Sequence, residues 1–411
     1  MQLETITQIL QIDNFKVKSI ISNTDNVFRF YLERINNIIL PLCSGCGKAH
    51  LKKHSTQTVE VEDLPICGKR VFLVFEKIKL VCSEDGSIRV EELAWLRGNI
   101  TKRFAECVSR LTAITTNQEA GWFLGLDDEK IYRIDKSILE EKAKELLDPL
   151  PEVKNLSVDE VAWQKWHKYV TNVVDVDQRL VIWNHKDRGK EVLLKFYKKL
   201  GIKKCAEIES VAMDGASGFI TATQESVPQA LLVFDNYHLK AKLNEAIDQV
   251  RKDELRKARA DNNKELKDLV SCGERWLLLK NSNLSEGQQD RLSKLLGLNE
   301  NIAKAKILKD DFLSIYKEEH DYEKKETMLN TWIETARTSG FEPFKELAET
   351  VQRKFQLIMN YFKKKISSAI SEGINNKIKR LKRMAYGYRD IDYFLLKIHQ
   401  HCGRLNPRLS T

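Results

Sequence analysis

Nowhere in the 411 residues do eighteen apolar residues run together, so no segment is built to span a bilayer. The opening Met1-Gln2-Leu3-Glu4-Thr5 has neither the basic stretch nor the apolar core of a secretory signal, and a cytoplasmic chain is expected. Internal repeats and low-complexity tracts are missing as well. The eight cysteines are scattered, apart from Cys43-Ser44-Gly45-Cys46, and in a reducing compartment that spacing favours metal binding over disulfides. What is there is ordinary globular composition, 42% hydrophobic and 31% charged, with length for roughly two to four domains. The net charge of +9 matters chiefly through its placement. Lys363, Lys364, Lys365, Lys377, Lys379, Arg380, Lys382, Arg383 and Arg389 crowd one stretch, which suits a groove for a phosphate backbone.

Among the 59 acidic residues, sequence context singles out three. Asp159 lies in the apolar strand-like run Leu156-Ser157-Val158-Asp159-Glu160-Val161-Ala162-Trp163, and Asp214 ends another, Val211-Ala212-Met213-Asp214. Glu372 sits on a helical pattern that continues to Tyr388. At roughly 100° per residue, Asn375, Asn376, Lys379, Arg383 and Tyr386 share the side of Glu372, while Ile370, Ile374, Ile378, Leu381 and Ala385 form the apolar side. Gly373 costs about 1 kcal/mol inside a helix, which asks for a reason such as close approach of a strand or of DNA. Two strand carboxylates and one helix carboxylate form a donor set for two Mg²⁺ (or Mn²⁺) ions in phosphodiester chemistry. Asp159 is expected to bridge both ions, Asp214 to complete one site and Glu372 the other. Among the rivals, Glu160 should point to the opposite face of the strand from Asp159. Asp175 and Asp177 belong to a turn, and Asp235, which follows an apolar strand as Asp214 does, is the strongest competitor.

Residues 1–86 read as a small β-rich domain of zinc-ribbon type. Val27–Ile35 alternates as a half-buried strand does, and Arg70–Phe75 and Lys77–Cys82 read as two strands. Gly45 and Gly47 allow a tight knuckle around Cys43 and Cys46, but the second knuckle, at Cys82, carries Asp85 where a fourth cysteine is expected. Aspartate can ligate zinc, and His50, His54 or Cys67 could substitute. One structural zinc on Cys43, Cys46, Cys82 and Asp85 therefore stands against a ribbon that has lost its metal. Residues 87–148 turn helical. Ile100–Leu111 is followed by Gln118–Leu124, capped by Thr116 and ended by Gly125, and then by a helix capped by Asp127 or Asp128 that runs through Ile131, Ile134 and Ile138. A short helix, a glycine turn and a second helix form a helix-turn-helix pattern, with Lys130, Arg133 and Lys136 toward DNA.

Beyond Pro149 and Pro151 come three strands, Ser157–Trp163, Lys168–Asp175 and Arg179–Trp183. Helix Lys190–Leu200, the strand into Asp214, helix Ser217–Glu225 and strand Ala230–Phe234 complete a ribonuclease-H-like order. The chain between Asp214 and Glu372 is far longer than one crossover needs, so 252–355 is expected as an α-helical insertion, with Trp276–Leu279 and Leu292–Leu298 in its core. The fold class is α/β. A ribonuclease-H-like (retroviral-integrase-like) catalytic domain, 149–251 and 356–411, carries the insertion and follows the ribbon and the helix-turn-helix domain.

Asp214, the block Phe234-Asp235-Asn236-Tyr237-His238-Leu239-Lys240, the run Asn244–Arg251 and the stretch Glu372–Tyr388 resemble the ISL-three group of bacterial insertion-sequence transposases. The resemblance implies an aspartate, aspartate, glutamate active site on a ribonuclease-H-like fold behind a cysteine-rich domain and a helix-turn-helix. It further implies binding of terminal inverted repeats and target as double-stranded DNA, Mg-dependent cleavage and strand transfer, and a homodimer on paired ends, in the bacterial cytoplasm at the nucleoid. Lys130, Arg133, Lys136, Asn376, Lys379, Lys382, Arg383 and Tyr386 are the expected DNA contacts. His238 has a structural role or orients a carboxylate or DNA. A domesticated regulator that binds without cutting is the alternative, and a lost carboxylate would favour it; all three are present. A plain ribonuclease H would need neither the helix-turn-helix nor the insertion.

Overall fold

The structure is a computed structural model that describes residues 2–407 apart from 24–25, 36–39, 50–51, 165–167, 235, 263, 265–274, 280–283, 318, 365 and 367–368. Two of the candidates, Asp235 and His50, lie outside the described residues. The chain folds into two compact units, one of Met1–Asp148, Met384–His401 and Leu405–Thr411, the other of Pro149–Arg383 and Cys402–Arg404. Among the described residues no helix is long and apolar enough to cross a membrane.

The first unit begins with helix α1 (Gln2–Leu10) and strands β1 (Phe15–Asn23), β2 (Val27–Arg34), β3 (Leu42–Cys43), β4 (Lys53–Ile66), β5 (Lys69–Val81), β6 (Ile88–Glu92), β7 (Leu96–Arg97) and β8 (Ile100–Thr101). They pair in the order β1-β2-β5-β4-β8-β7, with β6 joining β3 to β5. The two strands expected at Arg70–Phe75 and Lys77–Cys82 are one continuous strand, β5. Glu76-Lys77 does not break it, because the backbone stays paired to β4 from Thr58 through Gln57 across that point. Val71, Leu73 and Phe75 alternate into a core with Phe15, Phe30, Leu32 and Val61.

Three helices follow: α2 (Lys102–Thr112), α3 (Asn117–Leu124) and α4 (Asp128–Leu146). Thr116 and Glu119 form a reciprocal capping box on α3, Gly125 ends it in the left-handed conformation, and Asp127 caps α4. Phe104, Ala105, Val108, Ala120, Leu124, Ile131, Ile134 and Ile138 make their shared core. Buried carboxylates on β4 tie this bundle to the sheet: Asp63 accepts from Thr101 Oγ1 at 2.6 Å and from Arg103 Nε at 2.8 Å. The carboxy-terminal helix Ile391–Cys402 also packs here. Lys397 Nζ donates to the Thr112 carbonyl at 2.7 Å and to Asp135 Oδ2 at 3.1 Å, and Tyr393 Oη donates to the same Asp135 oxygen at 2.6 Å. Residues 384–401 therefore group with the helical bundle, whereas the sequence pattern assigns all of 356–411 to the catalytic domain.

The second unit is built on strands β9 (Asn155–Gln164), β10 (Lys168–Asp175), β11 (Leu180–Lys186), β12 (Ser210–Met213) and β13 (Leu231–Phe234). Their order is β11-β10-β9-β12-β13. β9, β10 and β11 are antiparallel neighbours, and β12 runs parallel to both β9 and β13. Helices α5 (Lys190–Leu200), α6 (Ile202–Ala206) and α7 (Ser217–Ser226) accompany the sheet. Leu156, Val158, Val211 and Met213 meet Leu193, Phe196 and Phe219 in one core, and each fully buried side chain of this size stabilises by ~1.5–3 kcal/mol. Ala212 and Val233 point to the other face, where Ile366 and Ile370 pack.

Helix α8 (Asn236–Ala260) leaves β13 and opens an α-helical body of α9 (Arg275–Leu279), α10 (Glu286–Leu298), α11 (Glu300–Lys317), α12 (Tyr322–Thr338) and α13 (Glu342–Arg353). Its core already includes Leu239, Leu243 and Ile247, so the helical packing starts upstream of residue 252. Helices α14 (Phe355–Lys363) and α15 (Ala369–Met384) return the chain to the sheet.

Candidate active site and metal centre

Sheet register places Asp159 and Asp214 each one residue beyond the same cross-strand pair. Val158 of β9 pairs with Met213 of β12 in parallel, and Met213 is the last paired residue before Asp214. Because side chains alternate along a strand, Asp159 faces away from the core that takes Val158. On that side α15 lies along the strand. Asn375 Nδ2 donates to Asp159 Oδ2, and further along both elements Lys382 Nζ donates to the Ala162 carbonyl at 2.8 Å. Glu372 lies one helical turn before Asn375 and is half-buried. The other Asp159 oxygen accepts the Glu160 amide at 2.7 Å and lies 4.0 Å from His238 Nε2.

Asp214 is held by a tight turn. Its Oδ1 accepts the Ala216 amide at 2.9 Å. Between them Gly215 has a φ of +79°, and a Cβ there would come within 2.5 Å of the Phe234 ring, so glycine is required. Lys354 Nζ donates to the Gly215 carbonyl at 2.5 Å. Burial lowers the Lys354 pKa, and the Asp214 charge opposes that shift. Glu160, 3.8 Å from Arg188, is pushed up to about 7, first by burial and then by the Asp214 charge, with Arg188 opposing. A Cβ at Gly373 would meet nothing within 4 Å, so no strand approaches it closely among the described residues.

Among the described residues the three carboxylates do not converge as a compact ligand group. The only such group among them is Cys43, Cys46 and Cys82, whose sulfurs lie within 4.8 Å of one another. The amides of Cys46 and Gly45 point at the Cys43 sulfur and lower its pKa, which favours the thiolate a metal needs. Three sulfurs at this separation suit a soft tetrahedral ion such as zinc. Asp85 turns its carboxylate to Ser87 and Arg89. His54 and Cys67 are exposed and outside the cluster.

The expected DNA contacts divide. Lys130 Nζ pairs with Glu62 at 2.7 Å, and Lys136 Nζ with Asp390 at 2.6 Å; that hydrogen bond is the main reason the Lys136 pKa is pushed up to about 12. Arg133 projects outward beside Glu129. Asn376, Lys379 and Arg383 are exposed on α15, and Tyr386, just past its end, is fully exposed. Sequence reasoning passes over Asn375 as a partner of Asp159, and it passes over Lys354. Asn375 could be found as the polar residue one turn from Glu372; no local signal marks Lys354.

Comparison with known proteins gives the family. Residues 156–398 match the family model described as Transposase, and residues 40–85 match that of the zinc-finger of transposase IS204/IS1001/IS1096/IS1165. The transposase for insertion sequence element IS1001 of Bordetella parapertussis is 33% identical over 361 residues, covering 87% of this chain and 87% of that relative. The transposase for insertion sequence element IS1557 of Mycobacterium tuberculosis is 24% identical over 383 residues, covering 87% and 84%. With more than half of its length matched by the Transposase model, the chain belongs to the ISL-three family of insertion-sequence transposases.

Proposed function

We propose that this transposase binds the terminal inverted repeats of its insertion sequence as double-stranded DNA and catalyses Mg²⁺- or Mn²⁺-dependent cleavage and strand transfer, as a homodimer on paired ends. Asp159, Asp214 and Glu372 are the metal ligands, on a ribonuclease-H-like fold. The carrying observation is the Asn375–Asp159 hydrogen bond, which fastens the helix of Glu372 along the strand that pairs with the Asp214 strand. Sheet order β11-β10-β9-β12-β13, antiparallel on one side and parallel on the other, supports the fold assignment.

Two divalent ions would activate the attacking hydroxyl and stabilise the leaving oxygen. The chain's own part is positioning. Asn375 and the Glu160 amide each take one oxygen of Asp159, and the Gly215 turn fixes Asp214. In the first unit, α3 and α4 serve as a helix-turn-helix reader of the element ends, with Arg133 outward. Asn376, Lys379 and Arg383 line the DNA path beside Glu372.

The test uses an element-end duplex with Mg²⁺ or Mn²⁺ and follows nicking and joining. Asp159→Asn, Asp214→Asn and Glu372→Gln should each reduce cleavage to background while thermal unfolding and end binding stay near wild type. Substantial cleavage by any one variant removes that residue from the ligand set.

A further inference from the structure

The two knuckles of the ribbon repeat one backbone pattern. The Cys43 amide donates to the Lys48 carbonyl at 2.9 Å and the Gly47 amide to the Cys43 carbonyl at 2.8 Å. The Cys82 amide donates to the Ser87 carbonyl at 2.8 Å and the Gly86 amide to the Cys82 carbonyl at 2.9 Å. Gly47 and Gly86 share a φ of +70°. In each knuckle the first cysteine sulfur receives the amides two and three residues on, those of Gly45 and Cys46 for Cys43 and those of Glu84 and Asp85 for Cys82. Asp85 therefore occupies the place of Cys46 in the second copy.

Asp85 follows Cys82 by three residues in the second knuckle, although no oxygen of its carboxylate lies within 4.8 Å of all three sulfurs. Its Oδ1 accepts the Ser87 amide at 2.9 Å and the Ser87 hydroxyl at 2.6 Å, and its Oδ2 accepts from Arg89 Nη2 at 3.1 Å. Arg89 Nε donates to Ser87 Oγ at 2.8 Å. The same guanidinium lies over the first knuckle, where a Cβ on Gly45 would stand 3.2 Å from Arg89 Nε. One arginine thus spans both knuckles.

We propose that this ribbon holds one zinc ion through Cys43, Cys46, Cys82 and a carboxylate oxygen of Asp85, with Arg89 as the positioning residue that clamps the carboxylate. The proposal rests on the zinc-ribbon assignment and deepens it. Three thiolates and a carboxylate leave the zinc complex net negative, and Arg89 is the cation placed to offset that charge. A carboxylate has two oxygens, so one can ligate while the other keeps its hydrogen bonds, and such bonds hold the ligating oxygen in place.

The experiment uses the full chain, with zinc content by metal analysis, chelator competition, and absorption of the Co²⁺-loaded protein. Wild type should carry one zinc per chain, and Cys43→Ser should lose it. Asp85→Ala should release zinc to chelator roughly 10–100-fold more readily, and Arg89→Gln roughly tenfold, with unchanged circular dichroism. Asp85→Cys should bind more tightly and raise the Co²⁺–thiolate absorption by about a third, as a fourth thiolate joins three. Wild-type zinc retention in Asp85→Ala, or an unchanged Co²⁺ spectrum in Asp85→Cys, overturns the ligand assignment. Zinc bound by Asp85→Cys but absent from wild type also overturns it, while leaving the ribbon assignment standing. Zinc in neither overturns both.

Discussion

The ribbon cluster and the proposed carboxylate site draw on opposite means of assembly. The three sulfurs are gathered by hydrogen bonds that close within each knuckle, with the two knuckles brought together by β3, β5 and β6. Asp159, Asp214 and Glu372 instead come from two strands and a helix separated by an entire helical body, and among the described residues they do not converge. Charge explains part of the difference. Knuckle amides that point at sulfur offset the charge of a thiolate, whereas ionised carboxylates repel until a cation neutralises them. Local hydrogen bonding can thus prepare a soft site in advance, while a hard site depends on distant elements staying docked.

The comparison breaks most visibly where a distant element is undocked. Lys397 and Asp135 are almost wholly buried, and burial lowers the Lys397 pKa while Asp135 opposes that shift. Removing one partner of such a pair leaves the other charge uncompensated, at about 3–5 kcal/mol. Asp135→Ala should therefore lower the unfolding midpoint of the first unit markedly in denaturant titration. Zinc retention by the ribbon should be spared below that midpoint. Stability within about 0.5 kcal/mol of wild type would show that the carboxy-terminal helix is held by apolar contacts alone.

Next in size is the contact that docks α15. Asn375→Ala removes the amide from Asp159 without touching a carboxylate. Losing a hydrogen bond that orients a metal ligand typically costs about 10–100-fold in metal affinity or activity. Cleavage should fall by that range, the Mg²⁺ concentration for half-maximal rate should rise, and Asn375→Gln should recover part of the loss. A fall in rate with no change in Mg²⁺ dependence would mean that Asn375 supports only the helix.

Much of this architecture is legible in sequence because local rules govern it. Thr116, Gly125 and Asp127 announce their caps, and helix Lys190–Leu200 has the bounds its periodicity implies. β5 reads as two strands because Glu76-Lys77 resembles a break, and only its pairing with β4 shows otherwise. The destination of residues 384–401 is invisible for a related reason. Tyr393 and Lys397 have partners on α2, α3 and α4, at the far end of the sequence. At the candidate site, residue type and strand context are readable, but Lys354 and the Glu160–Arg188 pair depend on tertiary proximity. Lys130 and Lys136 look free in sequence and are ion-paired in the fold, which leaves Arg133 as the outward cation of that helix face.

Glu160 offers a pH test of the open carboxylate site. Its folded pKa is raised from 4.5 to about 7, chiefly by burial. Its contribution is therefore fully present below about 4.5 and is lost as pH rises through about 7, because the folded chain then gives up a proton the unfolded chain has already released. Without added Mg²⁺ or Mn²⁺, Glu160→Gln should be more stable than wild type at pH 8 and no different at about pH 4, with the difference opening between about 4.5 and 7. An equal difference at both pH values would assign the effect to shape rather than charge.

The smallest effect should come from the exposed cations of α15, where neither site is touched. Lys379 and Arg383 lie on the solvent side of the helix whose other side holds Ile374, Ile378 and Leu381. If they contact phosphates, each contributes about one unit to the slope of log affinity against log salt and almost nothing to sequence preference. The double Ala variant should therefore flatten that slope by about two units, slow cleavage modestly, and keep its preference for element ends over random duplex. The measurement is a binding titration on both duplexes across a salt series. Unchanged slopes would make these residues ordinary solvated surface and move the DNA path to another face of the helix. A lost preference for element ends would give α15 a part in reading sequence, which the exposed Arg133 face is otherwise expected to supply.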